Sequence, residues 1–219
     1  MGDLVAITYK TAPPEQLEGP GGSDSPLLAV RCDVRVPEEV QRAFTQVEEA
    51  LGPVGVLVAN AGVVHDSLLL RMDEGAWAEV IDTDLSGVYR VVRRAIGPMV
   101  RARRGRIVLI SSVVAFLGSP GQVNYGAAKA GMVGMARSLA REVGSRNITV
   151  NVVAPGVVRT DMISGLTDKR VEQMISAVPL GRSANVEEIA GAVAFLASDD
   201  ATYITGAVLP VDGGMAMGF

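Results

Sequence analysis

One cysteine, one histidine and one tryptophan are present among the 219 residues, and each scarcity closes off a kind of chemistry. Cys32 alone can form no internal disulfide, which fits a reducing cytoplasm. Cys32 and His65 together cannot assemble a His/Cys metal centre, so no metal is expected. Long apolar runs are also missing: no stretch approaches the ~18 residues needed to cross a membrane. The N-terminus carries acid and glycine where a signal peptide would be basic and then apolar. Excess positive charge is absent too, because 20 Lys and Arg stand against 24 Asp and Glu for a net charge of −4. That balance argues against a general nucleic-acid binder. The chemistry must come from hydroxyls, carboxylates and lysines.

What is present is a globular balance, 48% apolar and 20% charged residues, in a length that suits a single domain over 1–219. Apolar runs of strand length alternate with helical patterns. "LVAITY" (4–9), "LLAVR" (27–31), "GVLVA" (55–59), "RIVLI" (106–110), "ITVNVV" (148–153) and "AVLPV" (207–211) read as strands. Most are continuously apolar, the signature of strands covered on both faces. Val40, Phe44, Val47 and Leu51 repeat at helical spacing behind Pro37, a good first helical residue. Further helices are expected from Asp73 as N-cap, after Ser86 with a bend at Pro98, from about 125 to 144, and near 186–197. Asn185 and Glu188 have capping-box spacing for the last of these. Pro210 suits a sheet edge. Strands separated by helices predict an α/β fold with a parallel sheet, and ligands beyond the carboxyl ends of its strands. The Pro/Gly-rich stretch 10–26 interrupts the alternation and reads as a flexible loop.

Three strands end in residues suited to a site. "RIVLISS" ends in Ser111 and Ser112, "VLVANAG" in Asn60, Ala61 and Gly62, and "NVVAPG" in Pro155 and Gly156. In "NYGAAKAG", Tyr125 and Lys129 lie four residues apart on a helix of small residues. Close packing of that helix on a neighbour would also leave two amphipathic side chains at its rim. The functional reading is a tyrosine acid whose pKa, near 10 unperturbed, is lowered by the adjacent cation. Their convergence with three strand ends favours the site.

"NAG" (60–62), Ser112 thirteen residues before Tyr125, "YGAAK" (125–129) and "PGVVRTDM" (155–162) resemble the short-chain dehydrogenase/reductase family. The stretches "RIVLISSVVAFLGSPGQVNYGAAKAG", "REVGSRNITVNVVAPG" and "YITGAVLPVDGG" are similar, within it, to bacterial 3-oxoacyl-[acyl-carrier-protein] reductases. The resemblance runs from residue 3 onward. It implies a Rossmann-like three-layer sandwich in which Tyr125 protonates a substrate carbonyl oxygen and Ser112 hydrogen-bonds that oxygen. It implies that Lys129 binds the nicotinamide ribose and lowers the tyrosine pKa. Asn60, with Ala61 and Gly62, would support the cofactor ribose, Asp33 and Val34 would contact adenine, and Pro155, Gly156, Val158 and Thr160 would hold the nicotinamide side. A second strand ending in an acid would select NAD. Here "TYKT" offers Lys10 and Thr11 with no acid, which favours the 2′-phosphate of NADPH. Arg103 and Arg146 are candidates for docking an acidic acyl carrier protein, and the helices at 86–102 and 125–144 with the last strand imply a homotetramer. "MISGLTDKRVEQMI" (162–175) reads as a lid or as an ordinary helix pair.

Two departures from the family stand out. Asp84 in "DTDLSG" replaces the usual Asn, so a carboxylate enters the proton relay beside Lys129. The family's first strand, its TGxxxGxG turn and its first helix match no stretch of the chain. That strand would lie between those at 4–9 and 55–59, and its glycine turn would receive the pyrophosphate at a helix N-terminus. The expected activity is NADPH-dependent reduction of a 3-oxoacyl thioester in fatty acid synthesis. The rivals are a ketoreductase of polyketide or secondary metabolism, and a non-catalytic homologue serving as an oligomeric or regulatory subunit.

Overall fold

The strands form where the apolar runs predict them. The computed structural model describes residues 4–13, 27–160 and 167–217. Its strands are β1 (Val5–Tyr9), β2 (Leu27–Arg31), β3 (Val56–Ala59), β4 (Gly105–Ile110), β5 (Ile148–Pro155) and β6 (Val208–Val211). All their pairings are parallel. β4 and β5, the most apolar runs, are the most deeply buried, and β6 with Pro210 forms an edge.

The helices are α1 (Pro37–Leu51), α2 (Glu74–Ile81), α3 (Val88–Ala102), α4 (Val114–Leu117), α5 (Val123–Val143), α6 (Asp168–Ser176) and α7 (Val186–Ala197). Pro37 opens α1 at a position whose amide needs no partner. Asp73 caps α2 by accepting from the Ala76 amide at 2.7 Å. Asn185 and Glu188 close the expected capping box on α7. One boundary differs from the sequence reading. α2 does not end before α3: a π-helical turn over Asp82–Gly87 joins them, and the helix then continues through Pro98 to Ala102. The inserted residue of a π turn is invisible to a pattern of period 3.6. This turn carries Asp84.

The strands do not make one sheet. β1 and β2 pair with each other, and β3–β4–β5–β6 form a second sheet, so no described strand sits between β1 and β3. The two parts are held together by helices on one face. Arg94 of α3 donates to Gln41 and Glu48 of α1 and lies 5.0 Å over the Phe44 ring. One turn earlier, Arg90 donates to the Val34 carbonyl and to Asp82. Beneath these contacts lies the main core of Val30, Val40, Phe44, Val92, Met99, Ile107 and Met132. On the opposite face Leu196 of α7 covers Val108 and Val153. The three-layer arrangement is therefore complete over β4–β6. Over β3 the described residues supply no such cover, and Val56 and Val58 remain 46% and 41% exposed.

Candidate active site

The carboxyl ends of β3, β4 and β5 open on one side of the sheet, and the start of α5 is strapped to them. Ser111 Oγ donates to the Lys129 carbonyl at 2.8 Å, and Lys129 Nζ donates to the Ile110 carbonyl at 3.0 Å. Asn124, fully buried, donates through Nδ2 to the carbonyls of Ala76 and His65 at 3.1 and 3.2 Å, and its Oδ1 accepts from the Tyr125 amide. These bonds fix the first turn of α5 against α2 and β4. Neither Asn124 nor Ser111 carries a recognisable spacing. Their roles depend on backbone carbonyls that lie far away in sequence.

The strapping brings Ser112, Tyr125 and Lys129 together, all buried. The Tyr125 phenol is hydrogen-bonded with Ser112, and Lys129 Nζ lies 5.3 Å from the Tyr125 ring centroid. Behind the lysine sits Asp84, fully buried, with Oδ1 accepting from the Val63 amide at 2.8 Å and Oδ2 3.2 Å from Nζ. Gly62 must be glycine at this point: a Cβ there would stand 2.9 Å from Asp84 Oδ2 and 3.2 Å from Lys129 Nζ. Gly156 is constrained likewise, since its Cβ would meet the Asp212 backbone at 2.8 Å.

The electrostatics correct one expectation. The Tyr125 hydroxyl is not lowered: burial, reinforced by the Asp84 charge, pushes it up to about 12, against the smaller opposing effect of the Ser112 hydrogen bond. Burial also pushes the Asp84 carboxyl up, opposed by Lys129 and the Val63 amide, and pushes the Lys129 ammonium down, opposed by Asp84. The sequence shows the i,i+4 cation. It does not show that an anion cancels it.

The other expected residues lie at the strand ends and on the loops beyond them. Asn60 and Ala61 are exposed just past β3, and Pro155 and Gly156 are half-buried at the end of β5. Val158 bridges to Ala184, and Thr160 is exposed next to 161–166, which lie outside the described residues together with the start of the expected lid. Lys10 lies 3.9 Å from Asp33, so the cation expected to meet a phosphate already has a carboxylate beside it. Asp33 is held chiefly by Arg35, whose hydrogen bonds bring its carboxyl down to about 2. Thr11 is exposed and Val34 buried. Arg103 donates to the Ser145 carbonyl, and both it and Arg146 precede the amino ends of β4 and β5. A strand of this length spans roughly 20 Å, so within one chain they are remote from Ser112.

For a dinucleotide, the fit divides in two. Tyr125, Lys129 and Asn60 offer hydroxyl, ammonium and amide groups suited to a ribose, whereas the Gly62 and Gly156 close approaches are to Asp84, Lys129 and Asp212 of the protein itself. A pyrophosphate finds no glycine turn leading into a helix between β1 and β3 among the described residues. The described residues contain no cluster able to hold a metal ion, and none of their helices is long and apolar enough to cross a membrane. A cavity of about 480 Å³ at the ends of β5 and β6 is lined by Val157, Leu180, Arg182, Glu188 and Asp212. Tyr125 and Ser112 do not line it, and its Arg182 and Glu188 pair with each other, so the chemistry lies elsewhere.

A sequence profile described as enoyl-(acyl carrier protein) reductase matches residues 2–216. The 3-oxoacyl-[acyl-carrier-protein] reductase MabA of Mycobacterium avium is 47% identical over 214 residues, 98% of this chain and 80% of that protein. The 3-oxoacyl-[acyl-carrier-protein] reductase FabG of Chlamydia muridarum is 54% identical over 190 residues, 87% of this chain and 75% of that protein. The Escherichia coli FabG is 48% identical over 185 residues, 84% and 76% of the two chains. The chain belongs to the short-chain dehydrogenase/reductase family.

Proposed function

We propose that this protein reduces the ketone of a 3-oxoacyl thioester, carried on acyl carrier protein, to the 3-hydroxyacyl form, with NADPH as reductant. The observation that carries the reading is the buried cluster of Ser112, Tyr125 and Lys129 at the carboxyl ends of the strands. The names of the three relatives support the same substrate class. A bound reduced nicotinamide supplies the hydride. The protein's task is the oxygen: Tyr125 and Ser112 donate hydrogen bonds to it, stabilising charge as it develops. Tyr125 then gives up its proton, because an alkoxide is far more basic than a phenolate even when the phenol is a weak acid. Lys129 and Asn60 would hold the ribose, with Ala61, Gly62, Pro155, Gly156, Val158 and Thr160 shaping the pocket. Lys10 and Thr11 at the end of β1 would receive the 2′-phosphate, and Asp33 and Val34 the adenine.

A homotetramer built on the outer faces of α3 and α5 belongs to this reading. The exposed face of α5 carries Val123, Ala127, Ala130 and Gly134, side chains small enough for close helix packing. Carrier-protein docking at Arg103 and Arg146 then serves the site of a neighbouring subunit rather than their own. The split sheet favours a second reading, a homologue that binds no cofactor and acts as an oligomeric or regulatory subunit. Initial rates on a 3-oxoacyl and an enoyl thioester with NADPH and NADH decide between the two, run beside a fluorescence titration of cofactor binding. Ketone-selective, NADPH-dependent turnover is expected. Binding of neither cofactor would leave the subunit reading.

A further inference from the structure

Asp84 is the fully buried carboxylate of the site, and the mechanism above gives it no contact with substrate. We propose that Asp84 is a positioning residue that pairs Lys129 into a couple of zero net charge near neutral pH, holding Tyr125 as a neutral phenol, the form from which reduction starts. The proposal rests on the ketoreductase reading and adds a direction to it: ready reduction at neutral pH, with oxidation of the 3-hydroxyacyl product confined to alkali.

The geometry is specific. The π-helical turn turns Asp84 inward, the Val63 amide fixes Oδ1, and Oδ2 has no hydrogen-bond donor besides the neighbouring ammonium at 3.2 Å. Gly62 leaves room for the pair and for nothing larger. Lys129 is 3% exposed and its other recorded acceptor is the Ile110 carbonyl, so water cannot screen the interaction. Two such strongly interacting groups titrate as a unit. Near neutral pH, whether the proton sits on the lysine or on the carboxyl, the couple carries no net charge, and Tyr125 at 5.3 Å receives no net cation. The groups that face Tyr125 are Lys129 on its own helix, Asp84 on the π turn, Asp66 on the loop after β3, and Ser112 after β4. Both carboxylates disfavour the phenolate, and burial acts in the same sense.

In the reductive direction the phenol donates its proton to the carbonyl oxygen. In the oxidative direction the phenolate must take the proton of the 3-hydroxyl. Reduction starts from the phenol, the form populated at neutral pH, whereas oxidation waits for the phenolate and so begins only at higher pH. Asp84→Asn keeps the shape and the acceptor for the Val63 amide while removing the carboxylate that disfavours the phenolate, and removing a charge at this range moves an acidic pKa by about 1–3 units.

The test titrates Tyr125 directly, from its Cζ carbon-13 shift in selectively labelled protein without substrate or cofactor, using Tyr125→Phe to assign the signal. The pH profile of 3-hydroxyacyl oxidation is measured in parallel. Asp84→Asn should lower the Tyr125 midpoint from about 12 by about 1–3 units and move the alkaline limb of oxidation with it. Lys129→Gln, which leaves Asp84 unbalanced, should raise the midpoint. Asp66→Asn, whose carboxylate is held by Gln122, should shift it less than Asp84→Asn. An unmoved midpoint in Asp84→Asn, or an equal shift in Asp66→Asn, overturns the proposal. A shifted midpoint with no turnover in any sample upholds the charge assignment and overturns the ketoreductase reading instead.

Discussion

Replacing Lys129 by Met tests the buried pair through stability alone. Methionine keeps most of the volume and apolar length of the lysine stem while removing the charge, so packing changes little. What remains is a fully buried carboxylate facing no cation, with Val63 as its one hydrogen-bond donor. Breaking a buried ion pair from one side costs about 3–5 kcal/mol, because the orphaned charge is not resolvated. For a chain of this size each kcal/mol shifts Tm by about 2–4 °C, giving a drop of about 6–20 °C. The sign of the pH dependence follows from the Asp84 carboxyl, which burial raises and which Lys129 no longer opposes. A group raised in the folded state contributes stability below its unfolded value of about 3.9, and loses it as pH rises through the folded value. The deficit of Lys129→Met should therefore shrink toward acid and widen toward neutrality. Urea denaturation of wild type, Lys129→Met, Asp84→Asn and the double variant completes a thermodynamic cycle. The double variant should recover more than half of the Lys129→Met loss. A single-variant loss under about 1 kcal/mol, or strictly additive effects, would refute the pairing, since unpaired surface charges cost no more than that.

Gly62→Ala should damage both stability and turnover, because the added methyl must push Asp84 away from Lys129. Overpacking of this kind costs about 1–3 kcal/mol, and a melt unchanged from wild type would show that the pair has slack. Asn124→Ala removes the side-chain donor to the carbonyls of Ala76 and His65 and the acceptor of the Tyr125 amide. It should cost about 1–3 kcal/mol and loosen Tyr125, readable as faster amide exchange at the start of α5; unchanged exchange would remove Asn124 from the strapping. Arg35→Ala should flatten the acid limb of stability. Asp33, depressed to about 2 chiefly by its hydrogen bonds with Arg35, contributes stability above about pH 4 that is lost as pH falls through that lower value. Parallel acid limbs in the two proteins would contradict the assignment.

The legible parts of this protein are those governed by local rules. Continuous apolar runs gave β4 and β5 nearly to the residue, Asp73 and the Asn185–Glu188 box marked helix starts, and Pro210 marked an edge. The gap between β1 and β3 was expected from the family resemblance, and among the described residues no strand sits there. Tyr125, Lys129 and Ser112 could be found because their spacing survives folding as proximity. The π turn escaped, since one inserted residue alters the helix phase without altering composition. Asn124 escaped, and Ser111 was marked only by its place at a strand end, because the partners of both are backbone carbonyls, which every residue carries. The direction of the Tyr125 shift was misread for a related reason. A cation four residues away is visible in sequence, while the burial that chiefly raises the phenol is not, nor is the carboxylate beside the lysine, 45 positions upstream of Lys129 at Asp84.

The most direct measurement of the central claim is the rate of NADPH consumption with a 3-oxoacyl-carrier-protein substrate by the wild-type protein and Tyr125→Phe. NADPH affinity is determined on the same two samples. Removing a general acid lowers the rate by about 10²–10⁴-fold, and the loss should appear with cofactor affinity nearly unchanged. A Tyr125→Phe protein that keeps more than about a tenth of the wild-type rate would contradict the account, because a general acid cannot be lost so cheaply.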